Sequence, residues 1–220
     1  MKQKTINKPV IKPEPKPNSK KETNKNSPKI ANPNSFLEKN ALWILLGIIS
    51  TLVLVIFFDF IMGDRYYLFK DIGSDSVNGY YPYLINSVRH LTTEGFPKWS
   101  FAMGMGQSIY PGNFSDPFTF IISMMGLEKI AYGIILSDIS KFIVACWLFF
   151  MYLRVLDLSK TSSIIGALLF SLSGFMIVAG TWYTFSLEVV YMAFLLLAFE
   201  KLYKQKNWFL FPIAIALIAM

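Results

Sequence analysis

Apolar residues fall into long uninterrupted runs, and the polar residues collect between them. Residues 41–62 form the first run, 22 positions whose only charge, Asp59, sits in the last turn. At about 1.5 Å of rise per residue such a helix reaches about 33 Å, enough to cross about 30 Å of hydrocarbon. Residues 130–156 predict a second crossing, with Asp138 and Lys141 toward one end and Arg154 at the other. Asp138 and Lys141 are three apart, hence on one helical face, and are expected to pair. Residues 162–182 and 183–200 predict a third and a fourth crossing, and 208–220 starts a fifth that ends at Met220. Helical carbonyls left unpaired in hydrocarbon are costly, so this end predicts a truncated product, a fragment, or a chain that needs a partner. Residues 118–126 are apolar but too short to span and read as an interfacial or re-entrant piece. The pattern predicts an all-α polytopic membrane protein with a large first extracytoplasmic loop.

Two segments break the pattern. Residues 1–40 are Lys, Asn and Pro with no aromatic residue before Phe36. Such a stretch cannot bury enough apolar area to offset its ordering entropy, and it predicts a disordered tail. Residues 63–117 are rich in Gly, Pro, Asn and Asp, which predicts turns at Gly95, Gly104 and Gly106. Tyr66, Tyr67, Tyr80, Tyr81, Tyr83, Trp99 and Phe101 give this loop aromatic docking groups, so it is expected to be ordered. Apolar Leu84, Ile85 and Val88 alternating with Asn86 and Arg89 predict a short amphipathic helix at the membrane interface.

Composition supports the bilayer as solvent. Apolar residues make up 54% and charged residues 16% of 220 positions, against roughly a half and a quarter in soluble domains. The net charge of +7 is confined to the tail. Residues 1–40 hold ten Lys and three acids (+7), whereas 41–220 hold eleven bases and eleven acids (zero). Without interleaved aromatics the tail does not suit nucleic acid, and its lysines fit the cytoplasmic surface of anionic lipid. It is not a signal peptide, because forty polar residues precede the first apolar run. Arg154, Lys160, Lys201, Lys204 and Lys206 fall in the predicted inner segments, so the basic bias places the N-terminus in the cytoplasm and 63–117 outside the cell membrane. Cys146 is the only cysteine and His90 the only histidine. That excludes an intrachain disulfide and leaves little support for a His-based metal centre or a Ser/His/Asp arrangement. His90 reads as a solvated loop side chain.

Candidate chemistry concentrates in the loop. The stretch from Asp71 to Pro82 packs Asp71 and Asp75 among small residues and the rings of Tyr80 and Tyr81. A carboxylate just outside the membrane can serve as general base for an acceptor hydroxyl or hold a divalent cation beside a phosphate. The plainer reading makes both aspartates turn residues that cap local N–H groups, and spacing alone favours it. Glu188 lies about one turn inside the fourth crossing, where an isolated carboxylate tends to face a cavity or a partner, or to snorkel to the headgroups. Lys141 could meet a lipid-linked phosphate or simply pair with Asp138.

A set of motifs runs in order along 42–215: Asp75 followed seven residues later by Pro82 and Tyr83; Gly95, Trp99, Gly104 and Gly106; Asp116-Pro117-Phe118; Leu168-Leu169-Phe170-Ser171-Leu172-Ser173-Gly174-Phe175; and Glu200-Lys201-Leu202. This order resembles the YfhO-like bacterial membrane proteins, which look like polytopic glycosyltransferases of the C-type fold that use polyprenyl-phosphate sugars. The resemblance implies a sugar transferase with a polyprenyl-phosphate donor and a cell-envelope polymer as acceptor. It puts Asp75 in the place of the acidic catalytic base of the first outer loop; Glu188 is a second catalytic candidate, and the residues themselves make Asp71, Tyr80, Tyr81 and Lys141 substrate-binding candidates. No cofactor beyond a divalent cation is implied. Glu188 stands where the family more often has Asp after a Trp, and Phe194 where it often has Pro. The family's proteins are far longer, so this chain alone is expected to lack much of the donor site and to be inactive. A transporter or flippase of a lipid-linked substrate, and a noncatalytic membrane fragment, are the competing readings.

Overall fold

The computed structural model describes residues 36–68, 71, 73–96, 99–109, 115–178, 180, 182 and 185–219. The predicted tail up to Ser35 and the residues Lys70, Lys98, Tyr110, Pro111, Gly112, Tyr183 and Met220 lie outside them.

The described residues form helices α1 (Phe36–Ile56), α2 (Phe58–Ile61), α3 (Tyr81–Glu94), α4 (Pro117–Ser123), α5 (Ile130–Val155), α6 (Lys160–Ser171), α7 (Gly174–Val178), α8 (Phe185–Gln205) and α9 (Leu210–Ala219). A π-helical turn (Ser76–Tyr80) leads into α3. A two-stranded antiparallel hairpin, β1 (Trp99–Ser100) and β2 (Gln107–Ser108), pairs Trp99 with Ser108. Among the described residues, three helical stretches are long and apolar enough to cross a membrane: Phe36–Ile56, Leu127–Val155 and Lys160–Val178. At 21 residues α8 is as long as α1, but it carries Glu188 near its start and Glu200, Lys201 and Lys204 near its end.

Helix α5 is the centre of the bundle. Its buried residues, among them Ile135, Phe142, Ala145, Cys146, Leu148 and Phe150, cover most of its circumference and leave an exposed strip at Tyr132, Leu136 and Trp147, as expected of a helix packed against several others. By contrast α1 buries a single stripe, Ala41, Leu45, Ile49 and Val53, spaced by four. Its other face exposes Trp43, Leu54, Val55 and Ile56. Such apolar exposure on a helix long enough to span a bilayer is surface for lipid. Small buried residues, Ala145 on α5, Ser163, Ala167 and Ser171 on α6 and Ala193 on α8, let the helices approach closely.

The ends of the bundle are set by polar contacts. Lys160 at the start of α6 pairs with Glu38 of α1 at 3.6 Å and also donates to its backbone carbonyl. Lys204 of α8 reaches Val155 O at 3.0 Å and Asp157 at 3.2 Å beyond the end of α5. The starts of α1 and α6 and the ends of α5 and α8 therefore share one end of the bundle. The loop after α1 packs at the other end: Tyr66 meets Tyr132 of α5 hydroxyl to hydroxyl at 2.7 Å, and Leu84 and Val88 of α3 pack on Ile130 and Ile134.

Four features add to or differ from the sequence expectation. Phe36 to Asn40, placed in the disordered tail, are helical, because Lys160 holds Glu38 and the Asn40 amide donates to Phe36 O across a kink. The amphipathic helix forms, and Leu84 and Val88 of its apolar stripe pack on Ile130 and Ile134 of α5. The third apolar run is not one rod: helical geometry lapses at Leu172 and Ser173, just before Gly174, dividing it into α6 and α7. His90 is not a free loop side chain, for its Nε2 meets Ser100 Oγ at 3.0 Å and ties β1 to α3. Cys146 is buried in the core as a free thiol.

Gly133 is where α4 meets α5, since a Cβ there would overlap Ile122 of α4. Gly133→Val is expected to cost about 1–3 kcal/mol by overpacking. Thermal unfolding in detergent should show the loss, and adding Ile122→Ala should restore part of it. Equal melting of all three proteins would refute this contact.

Candidate functional site

The loop end of the bundle brings most of the sequence candidates into one region. Asp71 begins it. Its carboxylate accepts from Asp75 N at 2.8 Å, from Ser76 N at 3.0 Å and from the Ser76 hydroxyl, so it closes the turn that starts the π-helical segment. These bonds, that of the Ser76 hydroxyl foremost, hold the Asp71 carboxyl below the usual carboxylate range. The capping role weighed for Asp71 is therefore the one its geometry shows. Asp75 is different: its side chain is exposed and caps nothing, although its backbone is fixed by Asp71. The two carboxylates flank Gly73.

Beneath this turn lies a buried polar chain. Tyr80, at the end of the π-helical turn, meets Thr119 Oγ1 at 3.4 Å. Burial pushes the Tyr80 hydroxyl well above its ordinary value, so it stays protonated. The Thr119 hydroxyl donates to Asp116 at 2.7 Å, and Asp116 also accepts from Phe118 N at 2.9 Å and Thr119 N at 3.3 Å. Asp116 followed by Pro117 is thus the N-cap and first residue of α4, the pattern that starts a helix most economically. The second oxygen of Asp116 lies 2.9 Å from Lys141 Nζ of α5. Lys141 is 1% exposed, and its expected partner Asp138 stands farther off at 4.0 Å.

Position along α5 explains the expected pair, because i and i+3 share a face, but the nearer carboxylate comes from 25 residues upstream. A buried ammonium needs a partner that approaches head-on, and a cap residue on a separate short helix is freer to do so than a neighbour on the same helix. Lys141 is consequently enclosed by carboxylates. Tyr81 packs its ring on the Leu84, Val88, Ile130 and Ile134 cluster. Tyr191 of α8 donates to Ser115 O at 2.9 Å, so α8 also holds the segment before Asp116.

Glu188 is exposed and lies apart from this chain, lining an open groove of about 510 Å³ between α8 and α9 with Ser115, Tyr191 and Leu217. The structure brings Asp71, Asp75 and Tyr80 to one end of a network that reaches Lys141, and it leaves Glu188 outside. Two members of the network had no assigned role in the sequence reading, Asp116 and Thr119. The Asp-Pro pair was a readable N-cap signal for Asp116, whereas nothing in the sequence marks Thr119.

Residues 41–219 match the model of the family described as "Bacterial membrane protein YfhO". The chain belongs to this family. No curated protein and no solved structure matches it. Membership, with three helices of spanning length, makes this YfhO chain a membrane protein embedded in a lipid bilayer.

Two outcomes follow from the network. Lys141→Met removes the ammonium that Asp116 meets at 2.9 Å and Asp138 at 4.0 Å, which should cost about 3–5 kcal/mol in detergent unfolding. Adding Asp116→Asn, which keeps a capping oxygen, should recover part of it, and no recovery would refute the pairing. Asp71 has its pKa depressed in the fold, so its contribution is complete above the unfolded value and lost as pH falls through the folded one. Protease cutting of the loop should therefore rise only under strongly acid conditions, and Ser76→Ala should move that rise to higher pH.

Proposed function

We propose that this YfhO chain takes part in glycosyl transfer at the extracytoplasmic membrane face, moving a sugar from a polyprenyl-phosphate donor to a hydroxyl of a cell-envelope polymer. Asp75 is the general base. Its carboxylate removes the acceptor proton while the acceptor oxygen bonds to the anomeric carbon from the face opposite the phosphate, whose bond to that carbon breaks. Inversion at the sugar follows, and the polyprenyl phosphate leaves with its electron pair. The observation that carries this reading is Asp75 itself: an exposed carboxylate with no structural duty, on a turn rigidly held by Asp71. Lys141 acts at one remove, through Asp116 and Thr119, by fixing the loop that presents Asp75. Asp71 and Asp75 together do not make a closed cation site, since Asp71 is engaged with Ser76 and among the described residues no group of three metal-ligating side chains forms. No step passes through a cation.

The basic end of the bundle, with Lys160 and Lys204, fits the cytoplasm, and the end carrying 63–117 fits the outside. Met105 at the hairpin tip is fully exposed, whereas the native Cys146 is buried. Met105→Cys should therefore react with a membrane-impermeant maleimide in intact cells. Labelling only after lysis would refute the orientation and with it the role of Asp75.

A lipid-linked substrate transporter remains the second reading, favoured by the interruption between α6 and α7 and by the charged groove at Glu188. Sugar transfer in proteoliposomes that hold the family's complete machinery separates the two. Asp75→Asn should reduce turnover by roughly a hundredfold or more, as expected for a lost general base, with donor binding retained. Unchanged turnover would remove Asp75 from the chemistry, and movement of the lipid without transfer would favour transport.

A further inference from the structure

Ser100 of β1 is fully buried, and its hydroxyl oxygen is a meeting point. Asn86 Nδ2 of α3 donates to it at 3.1 Å, and the backbone N–H of Ala102 donates at 3.2 Å. His90 Nε2 of α3 stands 3.0 Å away. A hydroxyl oxygen has two acceptor sites and one proton. Asn86 and Ala102 fill both acceptor sites, so the bond to His90 carries the hydroxyl proton and Nε2 accepts it. The ring is therefore neutral, with its own proton on Nδ1.

That arrangement leaves one group unsatisfied. Nδ1 is buried and has no hydrogen-bond partner among the described residues. The Glu94 carboxylate, one turn further along α3, lies 3.5 Å from it. Buried polar groups are nearly always bonded, so an exception calls for a reason.

A proton arriving from water supplies one. It adds to Nε2, the basic nitrogen of the neutral ring, and turns an acceptor into a donor. Three N–H groups and the hydroxyl's own proton then crowd one buried oxygen with two acceptor sites. On the far side of the ring the new positive charge is drawn to Glu94, within closing distance of Nδ1. The hairpin opposes nothing to this, since 99–109 contains no titratable side chain, and neither does α4. The other titratable groups on α3 and on the segments packed against it are engaged or exposed. Tyr83 donates to Ile109 O, Tyr80 meets Thr119 and Tyr132 meets Tyr66. Arg89, Glu128 and Lys129 are exposed.

We infer that His90 is a pH-operated latch on the hairpin. Neutral, it holds β1 on α3 through Ser100; protonated, its ring closes on Glu94 and releases the strand. The docked state binds one proton fewer than the released state, so docking is complete at neutral pH and weakens as pH falls. Trp99 and Phe101 move with the hairpin, because Gly106, at φ +100°, seats both rings against it. The latch goes beyond the transfer reaction and does not rest on it, because neither Asp75 nor turnover enters the argument.

The test uses the fact that His90 is the only histidine. Histidine isotope-labelled at both ring nitrogens therefore reports this ring alone in the full chain. Nitrogen NMR in lipid nanodiscs should show the proton on Nδ1 at about pH 7.5 and both nitrogens protonated at about pH 5. A nitroxide on Met105→Cys, at the hairpin tip, should be restrained at the higher pH. Its mobile fraction should rise roughly threefold to tenfold as the ring charges, the worth of one net hydrogen bond. His90→Gln should remove this pH dependence. Glu94→Gln, which leaves the Ser100 contact untouched, should move the release to lower pH. A ring proton on Nε2 at the higher pH, or a hairpin whose mobility ignores the charging of the ring, would overturn the latch.

Discussion

A lysine ammonium buried among apolar helices is the constraint around which this molecule is organised. Leaving water costs such a group several kcal/mol, and only close carboxylates with good geometry offset that cost. Here the closest is Asp116, 2.9 Å from Lys141, and Asp116 is no free-standing acid. The same side chain caps α4 through Phe118 N and Thr119 N and takes the Thr119 hydroxyl. Charge burial, helix capping and loop docking are thereby one event. The loop cannot detach from α5 without parting Lys141 from its nearest carboxylate and uncapping α4.

From that point the arrangement spreads outward in both directions. Toward the surface, Thr119 meets Tyr80, Tyr80 ends the π-helical turn, and Asp71 closes the start of the same turn, leaving Asp75 exposed on a fixed backbone. In the proposed transfer, a carboxylate presented this way would lose little freedom when an acceptor arrives, which is what positioning contributes to catalysis. Toward the bundle, Asp138 faces Lys141 on one side, and on the other it borders a cavity that Ser186 also lines. One set of charges thus borders both the surface turn and the space between the spans.

Much of the scaffold could be read from the pattern of apolar residues, because a helix that meets lipid or a neighbour along its length repeats locally. The stripe Ala41, Leu45, Ile49 and Val53 and the run around Ala145 and Cys146 are of that kind. Asp71 was also legible, since a cap acts within a few residues of itself. What escaped was long-range or fine-grained. The nearer partner of Lys141 stands 25 positions away in a segment whose local signal reports only a helix start. The break at Leu172 and Ser173 falls inside an apolar run, and hydrophobicity alone does not reveal where such a run loses helical geometry. The partner of His90 is a serine on a two-residue strand too short to leave a periodic trace.

The central claim is that Lys141 holds the loop in place through Asp116. Amide hydrogen exchange of the intact chain and of Lys141→Met, both in lipid nanodiscs, tests it most directly. The account predicts that Phe118, Thr119 and the π-helical turn at Ser76 lose protection in the variant while the α6 and α8 amides keep theirs. Unchanged protection at Phe118 and Thr119, or a uniform loss across all helices, would contradict it.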